Sequence, residues 1–156
     1  MSELIIYADG ASKGNPGDAG IGVVISAENG TILREIAEYI GETTNNAAEY
    51  AAMIRGLREA AQLGATTLEI STDSQLLARQ LSGVYKVKSA NLKPLHDEAV
   101  VLLRRFARAN ITHVTREFNK RADQLANEAI EKHRKKLGKS KTPTGKQPSQ
   151  QELDLS

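Results

Sequence analysis

Four acidic side chains of this 156-residue chain, Asp9, Glu49, Asp73 and Asp123, stand where their neighbours suggest more than surface charge. Asp9 follows the apolar run Leu4 to Ala8, and Asp73 closes a second run from Thr66 to Thr72. Glu49 and Asp123 each fall early in a segment of helical periodicity. Carboxylates brought together repel and raise one another's pKa, so a cluster of them calls for a cation. The chain has no cysteine. All-oxygen ligands then favour a hard ion, Mg²⁺ or Mn²⁺, over zinc. Two such ions roughly 4 Å apart can activate a water, stabilise a leaving oxygen and clamp an in-line displacement at phosphorus. Phosphodiester hydrolysis is the chemistry that suits such a group.

The surrounding pattern says how the acids would be positioned. Leu4 to Ala8 reads as a buried strand stopping at Asp9-Gly10, a turn signal. Ile21 to Ile25 and Thr31 to Ile40 read as two strands joined through Glu28-Asn29-Gly30, which completes an antiparallel meander. From Asn46 to Leu63, Tyr50, Met53, Ile54, Leu57 and Ala61 make one apolar helical stripe, which Gly64 ends. Thr66 to Thr72 is a fourth strand, followed by a short helix from about Ser74 to Leu81. A helix from Asn91 to Ala107, a strand from Ile111 to Thr115 and a helix from Asn119 to about His133 complete the order βββαβααβα. Right-handed crossovers place the last two strands parallel to the first. The predicted fold is α/β: a mixed five-stranded sheet, three antiparallel strands plus two parallel, with helices on both faces.

In that arrangement Asp9 and Asp73 project at the same sheet edge, where open α/β sheets bind ligands. At 100° per residue Glu49 lies about 40° from Met53, and Asp123 about 20° from Ile130, so both border apolar stripes. Each acid also has an ordinary structural role open to it. Asp9-Gly10 fits a turn, Asn46 with Glu49 and Thr72 with Gln75 fit capping boxes, and Asp123 fits a charge near a helix start. Convergence of all four argues for the site.

Four blocks carry a family resemblance. Asp9-Gly10-Ala11-Ser12-Lys13-Gly14-Asn15-Pro16-Gly17, Thr43-Thr44-Asn45-Asn46-Ala47-Ala48-Glu49, Ser71-Thr72-Asp73-Ser74-Gln75 and Arg121-Ala122-Asp123-Gln124-Leu125-Ala126 resemble, in order, the signature blocks of type 1 ribonucleases H. The resemblance covers Leu4 to about His133. It implies a ribonuclease H-like fold and hydrolysis of the RNA strand of RNA/DNA hybrids, leaving 5′-phosphate ends. It further implies catalysis and metal binding by Asp9, Glu49, Asp73 and Asp123, with two Mg²⁺ ions, or Mn²⁺ in their place. Asn15, Asn45 and Gln75 resemble minor-groove contacts, and amides suit the 2′-hydroxyl that separates RNA from DNA. Thr44 resembles a residue gripping a phosphate of the DNA strand, and Gly10 and Ser12 fall in the same substrate-binding blocks. Asn46 fits helix capping equally well.

Two features depart from the family pattern. Arg116-Glu117-Phe118-Asn119-Lys120-Arg121 is a short link without the mobile histidine of many members. His113 precedes it inside the expected strand and reads as structural. Glu117 is the nearest titratable group for an equivalent auxiliary role, with slower turnover expected. Val84 to Ser89 is too short for the basic protrusion some relatives use to hold the hybrid.

Residues 1–136 are expected to form the catalytic domain. From Leu137 to Ser156 the composition turns polar, which predicts a disordered tail. Lys132, Arg134, Lys135, Lys136, Lys139, Lys141 and Lys146 form a cationic run that fits either phosphate contacts or a solubilising tail. Gln150 to Leu155 loosely resembles peptides that dock on sliding clamps. The short apolar start and absence of a basic leader read as a soluble, cytoplasmic protein with no membrane partner, expected to be a monomer. Net charge is only +2, so bulk charge alone does not point to nucleic acid. Two other readings stay open: a non-catalytic protein of this fold binding hybrids or double-stranded RNA, and an integrase-like nuclease acting on DNA. The Thr-Thr-Asn-Asn-x-x-Glu block weighs against the second, and the four intact acids weigh against the first. Secondary cleavage of double-stranded RNA also stays open.

Overall fold

A computed structural model describes residues 3–138. Its elements are β1 (Glu3–Gly14), β2 (Gly17–Ala27), β3 (Ile32–Thr43), α1 (Asn45–Gln62), β4 (Thr67–Thr72), α2 (Gln75–Leu81), α3 (Lys93–Leu103), β5 (Arg108–His113) and α4 (Lys120–Gly138). A 3₁₀ turn, Arg116–Asn119, leads into α4. The strands lie in the order β3-β2-β1-β4-β5. The first three pair antiparallel, and β4 and β5 run parallel to β1, which is the predicted topology.

Helices cover both faces. A methyl group on Gly56 of α1 would stand 3.0 Å from Ile6 and 3.4 Å from Val23, whereas one on Gly22 would stand 1.9 Å from the Ala122 carbonyl oxygen of α4. Gly22 and Val23 are consecutive in one strand and point to opposite sides, so α1 and α4 do too. The main core lies on the α1 face, where Leu4, Ile6, Val23, Tyr50, Met53, Leu57, Leu68 and Ile70 are buried together. On the other face Arg134 donates to Asp18 at 2.8 Å and His133 stacks on Tyr39 with ring centres 3.5 Å apart, which fastens the far end of α4 to β2 and β3.

Several boundaries differ from expectation. β1 does not stop at Asp9: it continues to Gly14, paired with β2 down to Gly14 opposite Gly17. The turn falls instead at Asn15-Pro16, whose peptide bond is cis. Only the pairing with β4 ends near Asp9, at Ala8 opposite Thr72. Ile5 and Tyr7 are half-buried between buried neighbours, so β1 alternates rather than being enclosed on both faces. In α1, Ala60 takes the buried place expected of Ala61. α3 ends at Leu103, and Phe106 reaches the core from the following link. β5 starts and ends earlier than predicted. α4 runs on through Leu137 and Gly138, two residues expected in the tail. The other tail residues, Lys139, Lys141, Lys146 and Gln150 to Leu155 among them, lie outside the described residues.

Candidate active site

Three strand and helix ends meet beside Asp9. β1 and β4 part after Ala8 and Thr72, which leaves Asp9 and Asp73 side by side at the sheet edge. Glu49 arrives from α1, just past its first turn. That turn is capped by Thr44, not Asn46: Thr44 Oγ1 accepts from the Ala47 amide at 3.2 Å. α2 is likewise capped by Ser74, which accepts from the Leu77 amide at 3.1 Å, while Thr72 accepts from the Ser74 amide at 3.1 Å. Glu49 is therefore free of the expected capping box. Its Oε1 accepts instead from the Gly10 amide at 2.8 Å. Gly10 is small for a steric reason, since a Cβ there would stand 2.2 Å from the Ala48 carbonyl group.

One carboxylate oxygen from each of Asp9, Glu49 and Asp73 lies within 4.8 Å of the other two. Asp9 and Glu49 are 4% and 7% exposed, and Asp73 and Asp123 are half-buried. Burial, the Glu49 charge, a hydrogen bond with Asp123 and the charges of Asp73 and Asp123 push the Asp9 carboxyl up to about 10. Burial pushes Glu49 to about 7, against the Gly10 amide that favours its charge, with Asp73 raising it further and Arg116 lowering it. Oδ2 of Asp73 is buried with no hydrogen-bond partner. A buried carboxylate oxygen with no hydrogen-bond partner, beside two acids whose charged forms burial disfavours, is the donor set of a divalent cation. The three carboxylates fit one. Asp123 lies beyond this triad but close enough to act on Asp9.

Comparisons with known proteins agree with the geometry. A family model described as reverse transcriptase-like matches residues 7–129. A bifunctional protein of Mycobacterium tuberculosis is 45% identical over 130 residues, 83% of this chain and 36% of that protein. The solved ribonuclease H1 of Halobacterium salinarum superposes with a TM-score of 0.82 at 43% identity, covering 83% of this chain and 98% of that one. The chain belongs to the ribonuclease H family. A compost ribonuclease H1, solved in complex with an RNA/DNA hybrid, superposes with a TM-score of 0.80 at 47% identity over 83% of this chain and 98% of the other. The chain spans about a third of the mycobacterial protein and 63% of the curated ribonuclease HI of Halobacterium salinarum.

The ribonuclease H blocks also place side chains outside the acid cluster. Asn15 Oδ1 accepts from the Asn45 amide at 3.0 Å, so the β1–β2 hairpin tip and the start of α1 are tied, with both side chains exposed. Ser12 is turned inward, donating to the carbonyls of Gly14 and, at 2.9 Å, Thr43. Gln75 is exposed two residues beyond Asp73, and Thr44 is half-buried in its cap. Gly10 differs from the others in being buried, with its amide taken by Glu49. Glu117 is exposed in the 3₁₀ turn. His113 ends β5 opposite Thr72, and it is exposed rather than packed.

Residues that the sequence reading passed over complete the arrangement. Asn119 is 1% exposed and donates from Nδ2 to the Ala8 carbonyl at 2.9 Å. Arg116 is the cation acting on Glu49. Asn127 bonds Asp123. Isolated amides and one arginine in a basic chain make no pattern that marks them in the sequence.

Proposed function

We propose that this chain is an endonuclease that hydrolyses the RNA strand of RNA/DNA hybrids, leaving 5′-phosphate ends. The observation that carries the reading is the buried triad with its unpartnered Asp73 oxygen. Asp9, Glu49 and Asp73, joined by Asp123, would hold two Mg²⁺ ions, with Mn²⁺ as a substitute. Such ions supply charge neutralisation at a phosphodiester, a nucleophilic water at neutral pH and stabilisation of the leaving oxygen.

The protein's own part is positioning. The Gly10 amide holds Glu49 against Asp9, and the caps at Thr44 and Ser74 orient the two helix starts that flank the cluster. Exposed Asn15, Asn45 and Gln75 offer donors and acceptors that suit the 2′-hydroxyls of a minor groove. Thr44 stands beside them for a phosphate of the DNA strand. Glu117 supplies a titratable side chain in place of the loop histidine. Double-stranded RNA is a secondary substrate in this reading, since A-form RNA presents the same hydroxyls. The protein acts as a cytoplasmic monomer, and removing the cationic C-terminal run from Leu137 onward and measuring KM at two salt concentrations separates phosphate contacts from a solubilising tail.

The test is cleavage of labelled RNA/DNA, RNA/RNA and DNA/DNA duplexes by the wild type and Asp73→Asn, with Mg²⁺, Mn²⁺ or chelator. Metal-dependent cutting of RNA in the hybrid, lost in the variant, is expected. Tight hybrid binding with no cleavage under either metal would overturn the proposal in favour of a binding module.

A further inference from the structure

Asp123 is the one acid of the four that stands outside the triad, and its surroundings explain how it is set. Asn127 lies one helical turn further along α4, on the same side. Its Nδ2 donates to the Asp123 carbonyl at 2.9 Å and reaches the Asp123 carboxylate at 3.4 Å. Its Oδ1 accepts from Lys13 Nζ at 2.7 Å, a contact across 114 positions of chain. Lysine only donates and a carboxylate only accepts, so the two neighbours dictate which end of the amide faces which.

The bond would be an ordinary helix-surface contact were it not pinned from the other side. α4 lies so close to β2 that Gly20 and Gly22 have no room for a Cβ: one would meet Ala126 oxygen at 2.5 Å, the other Ala122 oxygen at 1.9 Å. That closeness brings the β1–β2 hairpin, and Lys13 with it, within reach of Asn127. The same hairpin carries Ser12 and Asn15.

We propose that Asn127 is a positioning residue for Asp123, and that Lys13, bonded to its far end, couples the setting of that acid to the hairpin. The inference rests on the reading above that Asp123 belongs to the metal-binding set. Lys13 orients and polarises the amide; the amide holds the carboxylate at the border of the triad. Partners one shell away from a metal typically change affinity or rate by about 10–100-fold when lost.

The test uses the full chain with Asn127→Asp, Asn127→Leu, Lys13→Met and the Leu/Met double variant, and Asp123→Asn as reference. Asn127→Asp keeps the shape and the partner for Lys13 but sets one carboxylate against another. Mn²⁺ binding by calorimetry and kcat and KM on an RNA/DNA hybrid are the readouts. Asn127→Asp and Asn127→Leu are expected to shift the Mn²⁺ isotherm in the direction of Asp123→Asn and to lower kcat about 10–100-fold with KM nearly unchanged. Lys13→Met should act in the same direction, more weakly, and add nothing to Asn127→Leu, because the two act as a unit. Wild-type isotherms and kcat for both Asn127 variants would overturn the inference. Additive effects with a raised KM for Lys13→Met would overturn the coupling, making Lys13 a plain phosphate contact. Wild-type protein that binds Mn²⁺ but cuts no hybrid would defeat the proposed function, while the isotherms would still decide this inference alone.

Discussion

Asn119 and Ala8 are 111 positions apart, yet a 2.9 Å hydrogen bond from the Asn119 amide to the Ala8 carbonyl fastens the entry of α4 to the strand position just before Asp9. Asp123 stands one turn further along that helix. The same bond that closes the fold therefore sets the approach of the fourth acid to the first. Asn119→Ala is expected to leave the buried Ala8 carbonyl unpaired and cost about 1–3 kcal/mol in urea unfolding. It should also lower kcat on a hybrid. Full activity in a destabilised variant would show that α4 finds its place without this bond.

Gly10→Ala tests the contact between β1 and α1. The added methyl would overlap the Ala48 carbonyl, so the helix must move or the strand must bend. An overpacking cost of about 1–3 kcal/mol is expected. The Gly10 to Glu49 hydrogen bond should be lost with it, and Mn²⁺ affinity should fall. Unchanged Mn²⁺ binding would mean that the spacing of Asp9 and Glu49 tolerates such a shift.

The raised acids make a signed prediction about pH. Folded Asp9 and Glu49 hold protons up to about 10 and about 7, well above their ordinary 3.8 and 4.5. The folded protein without a cation thus binds more protons than the unfolded chain, and its stability falls as pH rises from the ordinary carboxylate range through these values. In chelator, the Tm contributed by this site should drop between pH 5 and pH 9. Mg²⁺ should remove most of that drop, so its stabilising effect grows with pH, and Asp9→Asn should flatten the chelator profile. A Mg²⁺ effect that is the same at pH 5 and pH 9 would count against the triad as the binding group.

Glu117→Gln separates an auxiliary acid from a bystander. Glu117 is exposed near Arg116, on the turn that leads into α4. The substitution should lower kcat by no more than the low end of acid–base contributions, about 10²-fold, and leave KM alone. An unaltered pH–rate profile would remove Glu117 from the mechanism.

Much of this was legible beforehand, for reasons that differ from residue to residue. The apolar periodicities of β1, α1 and β4 predicted the sheet and its parallel half, and the four blocks marked the acids and the exposed amides. Asp9-Gly10 misled because glycine after aspartate is also what a turn looks like; here the glycine makes room for a helix backbone, a tertiary demand that no local pattern encodes. Asn46 looked like a cap because it precedes Glu49 at the right interval, but Thr44 takes that role and Glu49 turns to the strand. Phe106 falls within the helix expected from Asn91 to Ala107, although it packs from the link after Leu103. Asn119, Asn127 and Lys13 gain their meaning from partners more than a hundred positions away, or from a neighbour so placed.

β1 is held by β2 along its whole length, whereas β4 leaves its other flank at Ala8. The next amide on the chain's acidic side, that of Gly10, is taken up by Glu49. Past the end of the β1–β4 ladder, the strand's hydrogen bonding therefore continues onto a side chain whose charge a bound cation would draw away. That makes the Gly10 amide proton an internal gauge: a cation or a proton drawing charge from Glu49 weakens its acceptor. The resonance of one backbone amide would then follow the filling of the site without any substrate present.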